Sequence, residues 1–257
     1  MSATVSSDGF TISLTFHGDL AVFLKRDERS QPIRRVLREK TAIKDAIEAC
    51  GVPHPEIDLI VCDGVAVGFS HQLTCDAVIE VHPAGYVPDV SRGARLQRRG
   101  VTAFVADGHL GKLVRNLRLL GIDIAYRPIV EDVELIGIAR SEDRAVLTRD
   151  RRLLMHAVVR DGYFPRSQMP EEQTVEVLRR YELGSIIKPY TRCLRCNGAL
   201  RVVEKCAVAE QLEALTRKYY DVFRQCESCG NVYWPGSHFS RLEARVSRLR
   251  AALSLSS

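Results

Sequence analysis

Residues 101–126 read VTAFVADGHLGKLVRNLRLLGIDIAY, and this stretch decides the fold of the chain's middle. Val101–Ala106 is a short apolar strand, ended by the turn pair Asp107-Gly108. Across 109–120, Leu110, Val114, Leu117 and Leu120 fall on one helical face, Lys112, Arg115 and Arg118 point elsewhere, and Gly121 stops the helix. Ile122–Tyr126 is the next strand.

Further along, Glu131-Asp132 precedes a helix over 133–140, and Ala145–Thr148 forms a third strand opening into Arg149-Asp150. Tyr163-Phe164 supplies a fourth strand and Glu171–Tyr181 a further helix. A β-α-β-α-β run with short connections predicts a parallel, doubly wound sheet. Ligands of such sheets gather at the carboxyl ends of the strands, where Asp107 and Asp150 both lie. Asp132, with Glu131 and Glu134, opens the helix before the third strand and approaches the same edge. Converging carboxylates suit a hard divalent cation, Mg²⁺ or Mn²⁺, which activates water and stabilises phosphoryl charge. That is the chemistry of a hydrolytic nuclease.

The plainer reading stands beside it. An Asp after a strand is commonly a helix cap or turn former, and capping accounts fully for Asp132 ahead of VELIGIAR. Asp123 starts its strand and faces the other end. Lys112, Arg115, Arg149 and Arg151 are placed to meet RNA phosphates or, as exposed charges, only water. His109 reads as an ordinary residue of the helix start.

Eight cysteines accompany this pattern. Cys193-Leu-Arg-Cys196 and Cys226-Glu-Ser-Cys229 are two CxxC knuckles, and Gly230 permits a tight turn behind the second. Four thiolates close the tetrahedral shell of a structural Zn²⁺, whereas a redox site needs one such motif. The insert 198–225 must fold out between the knuckles as a strand and a helix. Cys50, Cys62, Cys75 and Cys206 read as small buried hydrophobes. Past the second knuckle, Trp234 reads as packing, and His238 is a candidate RNA contact. In the tail, Leu242, Val246, Leu249 and Leu253 recur at helical spacing among arginines, giving a docking or RNA-facing helix.

Upstream, Thr11–Leu24 reads as two strands around His17-Gly18-Asp19, followed by a polar basic stretch. Thr41 caps a helix bearing Ile43, Ala46 and Ile47. Leu59–Cys62 and Val65–Phe69 form a second hairpin on Asp63-Gly64, and Ala77–Val81 gives another strand. This β-β-α-β-β-β order resembles the ubiquitin-like β-grasp domains, particularly sulfur carriers. Because the chain continues past the last strand, a docking role suits it better than a carrier role. Residues 84–100, with Arg92, Arg95, Arg98 and Arg99, read as a linker whose arginines are solvated or touch phosphates.

Hydrophobic residues are 46% of the 257 and charged residues 27%, which excludes disordered and collagen-like chains. The start MSATVSSDGF has no secretion signal, and no run approaches the ~18 apolar residues of a spanning helix. A cytoplasmic protein without a membrane partner is expected. The net charge is +5, yet residues 186–257 carry 12 Lys and Arg against 6 Asp and Glu, so the excess sits beside the cysteines.

FVADGHLGKLVRNLRLLGIDIAY, EDVEL, AVLTRDRRLL and VYWPGSH together resemble the Mut-seven C-terminal ribonuclease domain family, PIN-like nucleases with a zinc ribbon. The resemblance covers roughly 101–240, and the N-terminal part is similar to the ubiquitin-like domain often fused ahead of it. It implies an α/β, PIN-like parallel sheet flanked by helices, with an N-terminal β-grasp domain and a C-terminal zinc ribbon. The expected boundaries are 1–83, linker 84–100, nuclease 101–188, ribbon 189–240 and tail 241–257. It further implies a Mg²⁺- or Mn²⁺-dependent ribonuclease with Asp107, Asp132 and Asp150 as metal-binding catalytic acids. Structural Zn²⁺ would sit on Cys193, Cys196, Cys226 and Cys229, RNA would be the substrate, and a protein partner would meet the β-grasp domain. Many PIN-like enzymes are toxins or RNA-processing factors. The alternatives are a non-catalytic zinc-ribbon RNA-binding or regulatory adaptor, and a sulfur-carrier accessory protein.

Overall fold

A computed structural model describes residues 9–84 and 95–254, so Arg92 of the expected linker lies outside the described residues. The chain forms two compact units. One comprises residues up to Arg99 together with Thr148–Phe164; the other comprises Gly100–Leu147 and everything from Pro165 onward. The expected nuclease domain 101–188 is therefore divided, with the segment bearing Asp150 in the N-terminal unit.

The N-terminal unit begins with β1 (Phe10–Phe16), β2 (Ile33–Leu37), β3 (Thr41–Ala42) and α1 (Ile43–Glu48), followed by β4 (Ile57–Cys62), β5 (Val65–Val67), β6 (Gln72–Leu73) and β7 (Ala77–Pro83). Its main sheet runs β2-β1-β7-β4-β5, with β1 and β7 parallel at the centre. Ile12 and Leu14 of β1, Ile79 and Val81 of β7, and Ile43 and Ile47 of α1 are fully buried. Each such aliphatic side chain contributes about 1.5–3 kcal/mol by leaving water. The expected first hairpin is corrected. Gly18–Phe23 is a 3-10 turn that buries Leu20 and Phe23, and the antiparallel partner of β1 is IRRVL at 33–37. Thr41 does not cap α1 either: Ala42 holds that position, and the Thr41 hydroxyl donates to Glu39 O at 2.9 Å.

Two of the linker arginines have partners inside this unit. Arg95 pairs with Asp58, and Arg98 reaches Asp161 at 3.1 Å, so neither is merely solvated.

The second unit holds β8 (Ala103–Ala106), α2 (Gly111–Leu119), β9 (Asp123–Tyr126), α3 (Asp132–Ser141) and β10 (Ala145–Leu147). β8 is parallel to both neighbours in the order β10-β8-β9. The chain leaves β8 for one side and returns to the other, which puts the topological switch at the carboxyl ends of β8 and β10. As expected, Leu110, Val114, Leu117 and Leu120 are buried, and Lys112 and Arg115 are exposed. Arg118, expected outside that face, is buried too.

Beyond β10, the segment assigned to the N-terminal unit carries α4 (Arg151–Leu154) and β11 (Gly162–Tyr163). The chain then forms α5 (Pro170–Arg180), β12 (Leu200–Val203), α6 (Lys205–Val208), α7 (Ala214–Tyr219), β13 (Phe223–Cys226), β14 (Val232–Tyr233) and α8 (Phe239–Ser254). β12, β13 and β14 form an antiparallel sheet, and the insert closes a small core of Val208, Leu212 and Phe223. Val246 and Leu249 of α8 are buried, and Arg248 forks onto the Glu171 carboxylate of α5 at 2.8 and 3.2 Å, so the tail is a docked helix.

Candidate active site and metal centre

At the switch point Ala106 stands opposite Leu147, and the Asp107 amide donates to Leu147 O at 3.0 Å. Asp107 therefore leaves the sheet beside the end of the strand that leads, three residues on, to Asp150. The turn after it is close-packed. The Tyr126 hydroxyl donates to Gly108 O at 2.8 Å, and a Cβ on Gly108 would meet Pro128 O at 2.4 Å, so only glycine fits. Asp107 occupies the cap position of the 3-10 turn Gly108–Leu110 with no side-chain capping bond.

Asp132 is the first residue of α3, the cap position being Glu131, again without a side-chain capping bond. The side chains of both are exposed and have no hydrogen-bond or ion-pair partner among the described residues, whereas the Glu134 carboxylate pairs with Arg127. Glu134 is thus the acid of this turn already engaged, leaving Glu131 and Asp132 open.

Asp150 behaves differently. Its Oδ1 accepts from the amides of Arg152 at 2.7 Å and Leu153 at 3.3 Å, the N-cap arrangement, while the Thr148 hydroxyl oxygen accepts from the Asp150 amide at 2.9 Å. The neighbouring arginines are held within the N-terminal unit. Arg151 donates to Phe23 O at 2.8 Å and Val22 O at 3.1 Å and lies over the Phe23 ring; Arg149 lies over the Phe164 ring at 5.4 Å. Of the expected RNA contacts, Lys112 and Arg115 are exposed and have no partner among the described residues, and His238 is exposed just ahead of α8. His109 is exposed in the turn, as expected.

The structure brings all four expected cysteines together. Their Sγ atoms lie within 4.8 Å of one another, with Cys193 3.7 Å from Cys229 and Cys196 3.4 Å from Cys226. Four sulfurs about 2.3 Å from a tetrahedral Zn²⁺ would stand about 3.8 Å apart, so the set fits that ion. Both knuckles end on a left-handed residue, Asn197 at φ 73° and Gly230 at φ 72°, which turns the chain back over the sulfurs. Burial pushes the Cys193 thiol up, but the Tyr233 hydroxyl at 3.1 Å and the amides of Cys196 and Arg195 outweigh it and hold it down at about 6. Burial and the neighbouring thiols push Cys196 up to about 12. Cys50 and Cys62 are buried as expected; Cys75 and Cys206 are exposed.

Sequence reasoning missed what anchors this cluster. The buried Arg118 guanidinium of α2 donates to Leu194 O at 3.2 Å and Arg195 O at 2.9 Å, inside the first knuckle, and to Ile124 O of β9. Asp123 accepts from Arg144 at 2.6 Å, Asn197 at 2.8 Å and Arg192 at 3.0 Å. Burial pushes the Asp123 carboxyl up, but those hydrogen bonds and the charges of Arg144 and Arg192 outweigh it and hold the carboxyl below the ordinary range. The cluster is therefore pinned at the amino end of β9, opposite the edge that carries Asp107.

The model of the family described as Mut7-C RNAse domain matches residues 102–246, and that described as Mut7-C ubiquitin matches residues 9–86. No curated protein matches, and no solved structure matches.

Proposed function

The chain belongs to the Mut7-C RNAse domain family, and from that premise we propose that it is a divalent-metal-dependent ribonuclease. The observation that carries the reading is the family match over 102–246, in which Asp107 leaves the parallel sheet at its switch point and Asp150 follows the adjoining strand. Asp107, Asp132 and Asp150 would hold Mg²⁺ or Mn²⁺. Bound there, such an ion supplies an activated water and neutralises charge on the scissile phosphoryl group. Asp132, exposed at the first position of α3 and with no side-chain partner among the described residues, supports a ligand role at that position. Lys112 and Arg115, on the helix that follows Asp107, would hold the RNA backbone, with Arg149 and His238 as further contacts. Arg151 would act mainly by fixing its segment, since its guanidinium is spent on Phe23 and Val22. The four thiolates would hold Zn²⁺ as a structural pin, and the ubiquitin-like domain would offer a surface to a protein partner.

The test is cleavage of a defined single-stranded RNA by the purified protein in Mn²⁺, Mg²⁺ or no added metal, beside Asp107→Asn. Metal-dependent cutting that falls at least about a hundredfold in the variant is expected, the scale of losing one preorganised electrostatic contact. Undiminished cutting by Asp107→Asn would refute the assignment. A non-catalytic RNA-binding adaptor is the second reading, favoured by the capping role of Asp150. Equal, salt-sensitive RNA binding by both proteins without cleavage would establish it.

A further inference from the structure

The second unit contains a half-open cleft of about 350 Å³ beside the cysteine cluster, and neither the acids nor the sulfurs use it. Its walls include Tyr190, Tyr233, Trp234 and Phe239, and Arg192 and Arg224 stand among them. Aromatic surface of this kind is costly to leave in water, and Trp234 is 39% exposed. Tyr190 is held there at φ 61°, a left-handed conformation unusual for a bulky residue, with its ring 5.1 Å from that of Phe239 and its amide donating to Leu119 O at 3.1 Å. Arg192 is committed to Asp123, but the Arg224 guanidinium has no partner among the described residues. Flat aromatic faces, an available guanidinium and the basic surplus of residues 186–257 suit an anionic, π-faced ligand.

The cleft shares two helices with a second groove. It takes in Leu119 and Leu242, and the second groove, of about 780 Å³, is lined on the same two helices by Lys112 and Arg115 of α2 and Arg245 of α8, together with Glu171, Glu172 and Glu176 of α5. Leu119, at the cleft, closes α2, about 12 Å of helical rise from Gly111, which follows the turn that carries Asp107. Between them on α2 stand Lys112 and Arg115, which have no side-chain partner among the described residues.

We infer that this aromatic cleft is a subsite for an unpaired nucleobase of the RNA, whose backbone crosses Lys112 and Arg115 toward Asp107. The inference rests on the ribonuclease reading for its ligand, though not for its readout. A base in a duplex has both faces covered and cannot enter, so the subsite selects single-stranded RNA.

Trp234, the chain's single tryptophan, lies in the cleft and reports on it directly. Full-length Asp107→Asn protein is titrated with an unpaired oligoribonucleotide, with the same RNA in a duplex, and with an abasic strand of equal length. The unpaired RNA is expected to quench Trp234 emission strongly, and the abasic and duplex forms are expected to leave it nearly unchanged. Added to this background, Tyr190→Asn, which removes the ring while tolerating the left-handed backbone, should weaken binding roughly 5- to 100-fold. Arg224→Gln should weaken it and flatten its salt dependence. Equal quenching by all three nucleic acids, or Tyr190→Asn protein that binds normally, overturns the inference. So does emission that shifts with protein concentration alone, which would mean that a second copy covers the cleft. Wild-type cleavage, followed in parallel, separates the two readings. Quenching without cleavage removes the nuclease and keeps the subsite, and cleavage without quenching removes the subsite and keeps the nuclease.

Discussion

Asp123 shows how much one side chain can carry without touching any chemistry. It gathers Arg144, Arg192 and Asn197 at the start of β9, and two of these partners belong to the first cysteine knuckle and its approach. Because its folded pKa lies below the ordinary carboxylate value near 3.9, its stabilisation is complete above about pH 4 and is lost as pH falls toward the folded value. Asp123→Asn should therefore unfold about 2 kcal/mol more easily at neutral pH, with the gap to wild type closing in acid. Urea unfolding of both proteins from pH 7 down to about pH 2 measures this; a gap independent of pH would refute it. The sequence placed Asp123 correctly at the far end of its strand, yet its partners lie up to 74 residues away. Arg118 was hidden for the same reason. A basic residue spaced off the apolar face looks solvated, and nothing local reveals that its acceptors are backbone carbonyls 76 and 77 residues on.

At the scale of elements, legibility followed periodicity. The strongly patterned α2 and the paired CxxC motifs read correctly because spacing alone determines which residues face inward or converge. The run LAVFL did not, since a short apolar stretch serves a buried 3-10 turn as well as a strand. The true partner strand, IRRVL, looked like loop because the adjacent Arg34 and Arg35 interrupt the apolar alternation on an edge strand. The acids are the intermediate case: their strand-end positions were legible, but the capping at Asp150 required coordinates. α4 has four residues, too few to persist without help, so the Asp150 cap matters to it. This yields a discriminating pair. Asn caps as well as Asp, so Asp150→Asn should preserve α4, whereas Asp150→Ala should cost it about 1 kcal/mol. If the carboxylate binds catalytic metal, RNA cleavage should collapse equally in both variants. Activity retained by Asp150→Asn and lost by Asp150→Ala would assign the residue to capping alone.

For the whole molecule, the consequential fact is that the chain enters its N-terminal unit twice. The ubiquitin-like domain reads in sequence as a detachable module, and yet it grips the segment that carries Asp150 through several independent contacts. The Glu56 carboxylate accepts from the Phe164 amide at 2.6 Å, the second ring nitrogen of His54 meets Val159 O at 2.7 Å, Arg98 pairs with Asp161, and Phe23 meets both Arg151 and the Phe164 ring. Glu56 and Asp161 are themselves buried, so removing one side of these pairs strands polar groups that folding has already desolvated. A chain shortened to residues 101–257 should accordingly keep the parts internal to the second unit, namely the cysteine cluster and the Trp234 cleft, while losing the order of residues 148–164. Its zinc content and Trp234 emission should match those of the full-length protein, its amides across 148–164 should exchange at rates typical of an open segment, and cleavage should fall at least tenfold, roughly the cost of a misplaced catalytic group. Full activity in the shortened chain would show that the ubiquitin-like domain is a passive attachment. Lost activity with protected amides at 148–164 would show that it contributes to substrate binding and does not hold the segment in place.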